Sequence, residues 1–368
     1  MVNETKKQLL SIMKHFRISG TPDGVNEITS GHINGTFVIF CSDSDVKYIL
    51  QRVNTDIFKN YVGLMNNIEQ ITSFLRDKYA RMGYADSDRR TLHIVRTVDD
   101  TLYHIDENGS VWRVYDFVRD ATCYQTVESE EMFRKVGVAF GRFQRDLADF
   151  DASMLVETIP NFHNTVNRFE NLMASVKADK AGRLSEVKAE LDFVLARRSL
   201  CEYIVEKLSD GRLPLRVTHN DTKLNNIMID DATGEGICVI DLDTVMPGSV
   251  LYDFGDSIRF GASSAAEDET DLSKVYMRDE MFSAFASGFV SALDGALSRE
   301  EILDLPMGAI IITLEVGIRF LTDYLDGDTY FRTEYPGHNL DRARNQFKLV
   351  VDMESKLDGM IATVKQFI

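Results

Sequence analysis

The sequence predicts an α+β protein of two lobes, a β-rich N-terminal lobe with one inserted helix and a helical C-terminal lobe. Three observations predict it. Short alternating runs separated by turn residues fill the first third, and one helix-spaced run interrupts them. From residue 129 onward, apolar residues recur every three or four positions.

In chain order, the N-terminal stretch has Lys14, His15 and Arg17 among its apolar residues, so it reads as an amphipathic helix without a signal-peptide core. Val25–Thr29 and Thr36–Phe40 read as strands flanking the turn-like 30–35, and Val46–Val53 as a third after the turn at Ser42–Asp45. Tyr61–Tyr79 has helical spacing. Leu92–Val98, Thr101–Asp106 and Val111–Val118 read as three further strands, joined at Asp99-Asp100 and at Asn108-Gly109, the stronger hairpin signal. The sheet hands over to helices at Tyr115–Asp120, which places the lobes at 1–118 and 119–368. Phe133, Val136, Phe140, Phe143, Leu147 and Phe150 form one helical face, begun by Ser129 with Glu130 and Glu131 in its first turn. Leu184–Leu208 is expected as one long helix stopped by Asp210-Gly211. A hairpin is expected within 217–240, and from about Met281 the chain reads as helical. The apolar run Leu305–Leu314 is too short to span a bilayer and should be a buried helix.

Composition narrows the function classes. At 368 residues, with 44% hydrophobic and 27% charged, the chain is globular in character. A net charge of −17 argues against nucleic acid or an anionic membrane as partner, because both need basic surface. Cys41, Cys123, Cys201 and Cys238 are scattered without a Cys-x-x-Cys pair, which disfavours zinc and disulfides and fits a reducing cytoplasm.

The chemistry concentrates after residue 216. His219-Asn220-Asp221 followed by Asn226 has the His-x-Asp-x-x-x-x-Asn spacing of a kinase catalytic loop. The spacing lets Asp221 meet an acceptor hydroxyl while Asn226 reaches a magnesium ion on the phosphate side. The strands Ile227–Ile229 and Ile237–Ile240 return the chain, so Asp241 is expected beside Asn226 as a second hard-oxygen ligand. The expected architecture is therefore protein-kinase-like, with nucleotide in the first lobe and catalytic loop, magnesium and acceptor in the second. Asp253-Phe254-Gly255 spells the magnesium tripeptide of protein kinases but follows Asp241 by twelve residues. It is expected to cap the next helix and bond backbone amides under the loop. His219 is expected to support the loop, and Lys223 to meet the γ-phosphate or solvent.

The nucleotide side is less distinctive. The turn 30–35, with Gly31 and Asn34, could cover phosphates with backbone amides, but it lacks G-x-G-x-x-G and reads equally as a plain hairpin turn. The strand Val46–Val53 should carry a phosphate-binding lysine and has Gln51 in that place. Arg52 is adjacent, yet alternation points it to the other face. Glu69 on the inserted helix is the candidate partner for this position or a solvated carboxylate. Gly31, Asn34, Gln51, Tyr115 and Lys223 make the expected nucleotide set.

Several segments carry a wider likeness: GHIN at 31–34, YILQ at 48–51, WRVY at 112–115, LRVTHNDTKLNN at 215–226, IDLDT at 240–244, MPGS at 246–249, DFGDSIRFGAS at 253–263 and RFLTDYLDGDTYF at 319–331. They resemble the aminoglycoside-phosphotransferase and choline-kinase superfamily and, within it, the N-acetylhexosamine 1-kinases. The resemblance implies ATP and Mg2+, and phosphoryl transfer to the anomeric hydroxyl of N-acetylglucosamine or N-acetylgalactosamine. It implies Asp221 as base, Asp241 as magnesium ligand and Gln51 in the lysine place. It also implies a sugar pocket with His32, Thr244, Phe260, Arg319 and Tyr330. Arg319 stands out unaided, since a charge in an apolar helix needs a partner, either a sugar hydroxyl or Asp323. Two alternatives stay open. Asp243, Asp256, Asp323 and Asp326 are carboxylates that a cationic acceptor, an aminoglycoside or amino alcohol, would want. Gln51 alone supports a non-catalytic nucleotide- or sugar-binding module. A sulfatase is excluded, because no cysteine lies in a C/S-x-P-x-R context. The expected partners are a small sugar and a nucleotide, with no nucleic acid or membrane, and the chain is expected to be a monomer.

Overall fold

The computed structural model describes residues 5–29 and 33–368. The chain forms two compact units with an α+β, kinase-like architecture. The first holds the chain to Thr122 together with Met154–Pro160 and Met228–Met246; the second holds Cys123–Ser153, Asn161–Ile227 and Pro247–Ile368.

The first unit opens with helix α1 (Lys6–Met13), whose Thr5 and Gln8 form a reciprocal capping box. Strands β1 (Pro22–Ile28), β2 (Gly35–Cys41) and β3 (Lys47–Val53) precede helix α2 (Tyr61–Arg81); β4 (Ile94–Val95), β5 (His104–Ile105) and β6 (Val111–Asp116) follow it. The sheet order is β1-β2-β3-β6-β4, with β5 also paired to β6. Its inner face is apolar because Phe37, Ile39, Tyr48, Leu50, Trp112 and Val114 alternate inward against Leu9, Met13 and Phe16. The expected fourth and fifth strands are shorter than their apolar runs. Arg96 and Val98 bond backbone to Arg17 and His15 instead, and Thr97 closes a tight turn to Thr101 with Asp100 at φ +66°. The Asn108-Gly109 turn forms as expected, with Gly109 at φ +82° where a side chain would strain the backbone.

The second unit is built from α3 (Glu130–Asp146), α4 (Thr165–Ala178), α5 (Lys188–Leu195), α6 (Arg198–Ser209), α7 (Val250–Gly261), α8 (Asp279–Leu293), α9 (Arg299–Asp326) and α10 (His338–Lys365). Ser129 caps α3 by accepting from Met132 N at 3.2 Å. The helix expected over Leu184–Leu208 is instead a 3-10 turn at Leu184–Glu186 followed by two helices that break at Ala196–Arg197. Arg197 folds back on its own helix, onto Phe193 O at 3.3 Å, and holds Glu354 of α10 through two bonds, which fixes the bend. α4 has no counterpart in the sequence reading. α9 is long and apolar enough to cross a membrane, but 83% of its most apolar window is buried, which makes it the core helix of this unit. It crosses α7 at two glycines: a Cβ on Gly255 would stand 2.4 Å from Gly308 O, and one on Gly308 2.3 Å from Leu251 O. That close approach sets α7, the platform of the catalytic loop, firmly against the core.

Candidate active site

The catalytic loop leaves the strand Arg216–Thr218 and ends in a 3-10 turn at Leu224–Asn226. Asp253, Asp256 and Ser257 lie one turn apart on one face of α7, so all three meet the loop. Asp253, buried at 1% exposure, accepts from His219 N at 2.9 Å, Asn220 N at 2.7 Å and Gln144 Nε2 at 2.7 Å. Asp256 accepts from Thr222 N at 3.1 Å, and Ser257 donates to Thr222 O at 2.8 Å. Asp253 thus bonds amides under the loop, but it is not the helix cap. That role falls to Ser249, which accepts from Leu251 N. Burial pushes the Asp253 carboxyl above its ordinary range, against the pull of His219 and the amides. For Asp256 burial also works upward, but Arg259 and Lys223 outweigh it and hold the carboxyl low.

Asp221 is half-buried, at the exposed edge of this scaffold. Lys223 Nζ lies 2.7 Å from its Oδ1, and Asn226 Nδ2 donates to its Oδ2 at 3.1 Å and its backbone O at 2.7 Å. Burial works to lower the Lys223 ammonium, but Asp221 and Asp256 outweigh it and keep it above its ordinary value. The side chain expected at the γ-phosphate is therefore paired with Asp221. Asn220, immediately before Asp221, is held in the left-handed region at φ +66°. Such strain in a non-glycine residue persists only where surrounding bonds enforce it.

In the first unit, register explains how a glutamine fills the lysine place. Thr36, Gln51 and Arg113 are consecutive partners across β2, β3 and β6. No bulge intervenes, so Arg52 stays on the opposite face. Gln51 donates to Thr36 Oγ1 at 3.1 Å and accepts two bonds from Arg113, at 3.0 and 2.8 Å. Arg113 Nη1 lies 2.6 Å from Asp243 Oδ1, with both side chains buried, and Asn34 Nδ2 donates to Asp243 Oδ2 at 2.6 Å. Burial works to lower the Arg113 guanidinium, but Asp243 and its neighbours outweigh it and hold it well above its usual range. The ring of Tyr115 faces the guanidinium at 5.2 Å, and burial pushes its hydroxyl up. Arg113 was missed as a site residue. The signal available was a charge at the centre of the otherwise apolar strand VWRVY. Glu69 pairs with Arg96, not with this cluster.

Asp241, after the strand Gly236–Val239, takes the left-handed conformation at φ +57° and opens the 3-10 turn Leu242–Thr244, in which Thr244 is buried. Gly31 and His32 lie outside the described residues.

Arg319 and Tyr330 share a cavity of about 420 Å³ in the second unit, with Arg168, Phe331, Asp323 and Asp326 also in its wall. Phe260, 45% exposed near the end of α7, is not among its lining residues. Asp323, weighed as the partner of Arg319, is committed elsewhere. Its Oδ1 accepts from Thr329 N and Tyr330 N, and its Oδ2 from Phe331 N and Asn339 Nδ2. Arg319 instead faces the rings of Phe162, Tyr330 and Phe331 at 5.4–5.9 Å, and among the described residues no carboxylate pairs with it. Burial, and then Arg319, hold the Arg168 guanidinium below its usual value.

Residues 89–277 match the model of a phosphotransferase enzyme family. Among solved structures, the chain is similar to a choline kinase from Cryptosporidium parvum, at TM-score 0.60 and 13% identity over 98% of this chain and 99% of that one. It is also similar to an ethanolamine kinase from Plasmodium vivax (TM-score 0.57, 15% identity, 94% and 90% covered). A third likeness is to a spectinomycin phosphotransferase in complex with ADP and spectinomycin (TM-score 0.54, 14% identity, 97% and 99% covered). At these identities the likeness is one of fold.

Proposed function

The chain belongs to the phosphotransferase enzyme family, and from that premise we propose that it transfers the γ-phosphoryl group of ATP to the anomeric hydroxyl of a neutral N-acetylhexosamine, yielding the sugar 1-phosphate. The observation that carries the choice of acceptor is the charge of the second unit's cavity. Two arginines line it beside Asp323 and Asp326, and three of the four carboxylates that a cationic acceptor would want are already bonded within the protein. Asp323 holds three amides, Asp256 holds Arg259 and Thr222, and Asp243 holds Arg113 and Asn34. A polycation or a quaternary ammonium would meet like charge beside Arg168 and Arg319. A neutral ring with hydroxyls suits guanidinium donors and the exposed Tyr330 ring.

Asp221 orients the hydroxyl and accepts its proton late, since phosphoryl transfer is mainly positioning and charge stabilisation. Asn226 spends its amide hydrogens on Asp221, so its Oδ1 points away as a hard-oxygen donor, and Asp241 offers a carboxylate of the same kind. Magnesium takes few protein oxygens and completes its shell with phosphate and water, so these donors fit it. The ion would supply charge neutralisation at the phosphoryl oxygens. Arg113 neutralises Asp243 two residues from Asp241, easing the approach of a polyanion in the absence of the expected lysine.

The test is ATP consumption against free N-acetylhexosamines, choline, ethanolamine and aminoglycosides in parallel. Turnover with the N-acetylhexosamines alone is the expected result. Turnover confined to the cationic acceptors would overturn it.

A further inference from the structure

We infer that His163 is a positioning residue for Asp221, acting through the peptide that joins Asn220 to Asp221, with Glu315 as its anchor. The inference rests on the reading of Asp221 as base. That peptide is held on both edges by imidazoles. Its carbonyl, Asn220 O, lies 3.4 Å from His163 Nε2, and its amide, Asp221 N, donates to His219 Nδ1 at 3.3 Å. Asn220 N is fixed separately by Asp253. Every polar group that sets the direction of the Asp221 side chain is therefore bonded, which explains how Asn220 is kept at φ +66°.

His163 is itself fixed. Its Nδ1 lies 3.1 and 3.3 Å from the two oxygens of Glu315, and its ring packs 4.9 Å from that of Tyr252. Glu315 is fully buried on α9, a carboxylate between Leu314 and Val316 that catalysis does not touch. A buried carboxylate is tolerated only with partners, and those here are His163 and, at 4.0 Å, Arg168 of the cavity wall. The series Glu315, His163, Asn220 thus ends at the residue before the base, and Arg168 of the cavity wall stands 4.0 Å from its buried end. Since a displacement of about 1 Å can lower a rate by about 10²-fold, releasing the carbonyl should lower turnover without changing what binds.

The experiment compares His163→Leu, which fills the space without a donor, with His163→Gln, whose amide returns a donor near the Nε2 position. Asp221→Asn is the reference. In His163→Leu, hydrogen exchange at the Asp221 amide should accelerate. With ATP and N-acetylglucosamine, kcat per folded molecule should fall by roughly tenfold or more, while both KM values stay within about twofold. His163→Gln should recover most of the rate and protection. Unchanged exchange at the Asp221 amide in His163→Leu overturns the inference. So does unchanged kcat where Asp221→Asn is inactive, even if the melting temperature falls. Near-normal turnover in Asp221→Asn would instead sink the base assignment, and the exchange measurement still decides whether His163 holds the peptide.

Discussion

Asp243 and Asp253 are both buried aspartates close in sequence to the candidate chemistry, at 3% and 1% exposure, and the two units stabilise them by opposite means. In the sheet unit a cation does it: Arg113 reaches across from the neighbouring strand, with Asn34 and Gln51 completing the set. In the helical unit hydrogen-bonded amides do it. Two loop amides and the Gln144 amide do the work, and the carboxyl is pushed upward by burial. The difference shows what each aspartate is for. An ion pair fixes net charge, which matters where a polyanion is expected. Amide bonds fix backbone, which matters where a catalytic side chain must point one way.

The largest effect should come from Asp221, half-buried at the edge of the loop that these bonds hold. Asp221→Asn should lower kcat by on the order of 10²–10⁴, with little change in acceptor binding by calorimetry. A normal rate there would leave the comparison without a reacting group to serve.

Breaking either scaffold should destabilise, but only one can be repaired. Arg113→Met leaves Asp243 buried without its cation and should lower unfolding free energy by about 3–5 kcal/mol. Adding Asp243→Leu should restore much of that while nucleotide affinity stays impaired. Asp253→Ala leaves buried amides unpaired, at roughly 1–3 kcal/mol, and should lower kcat as the loop loosens. Denaturant titration of the three variants checks this. Full recovery of nucleotide binding in the double variant would remove the charge argument.

Arg319 is a third case, a cation faced by rings and, among the described residues, by no carboxylate. If it awaits a sugar hydroxyl, Arg319→Ala should lower kcat/KM for the acceptor by roughly 10- to 100-fold, the value of a charged hydrogen bond. The KM for ATP should stay within about twofold. Equal losses on both substrates would mean that the arginine holds structure.

The smallest effect concerns pH and sets Asp230 against Asp253 by sign. Asp230, bonded by the Thr233 hydroxyl and amide and by Arg89, is lowered from 3.8 to about 2. Its contribution is complete above its unfolded value and is lost as pH falls from about 4 to about 2. Asp253 is raised, so its contribution changes in the opposite direction, favouring the fold as the group protonates. Acid titration of stability should therefore show the difference between wild type and Asp230→Asn shrinking across that window. A difference constant with pH would contradict the assignment.

Much of this was legible in the sequence. The loop His219–Asn226, the hairpin after it, the cap at Ser129 and the helix at Tyr61 all depend on local spacing. What was not legible depends on pairing between distant segments. Arg113 becomes the partner of Gln51 only once β6 is registered against β3, sixty-two residues apart. Asp323 looked available to Arg319 because it lies four residues on, but the chain at 329–331 turns back and uses it. The helix cap was misplaced onto Asp253 because Ser249, four residues earlier, begins the helix sooner than the tripeptide suggested.

In the proposed reaction Asp221 faces an anomeric hydroxyl. This is tested most directly by phosphorus–proton correlation in the NMR spectrum of the product formed from N-acetylglucosamine, ATP and magnesium. An anomeric hydroxyl is more acidic than an ordinary alcohol, so a carboxylate of modest basicity suffices once geometry is set. The expected result is coupling of phosphorus to the anomeric proton. Coupling to the C6 methylene protons would contradict it.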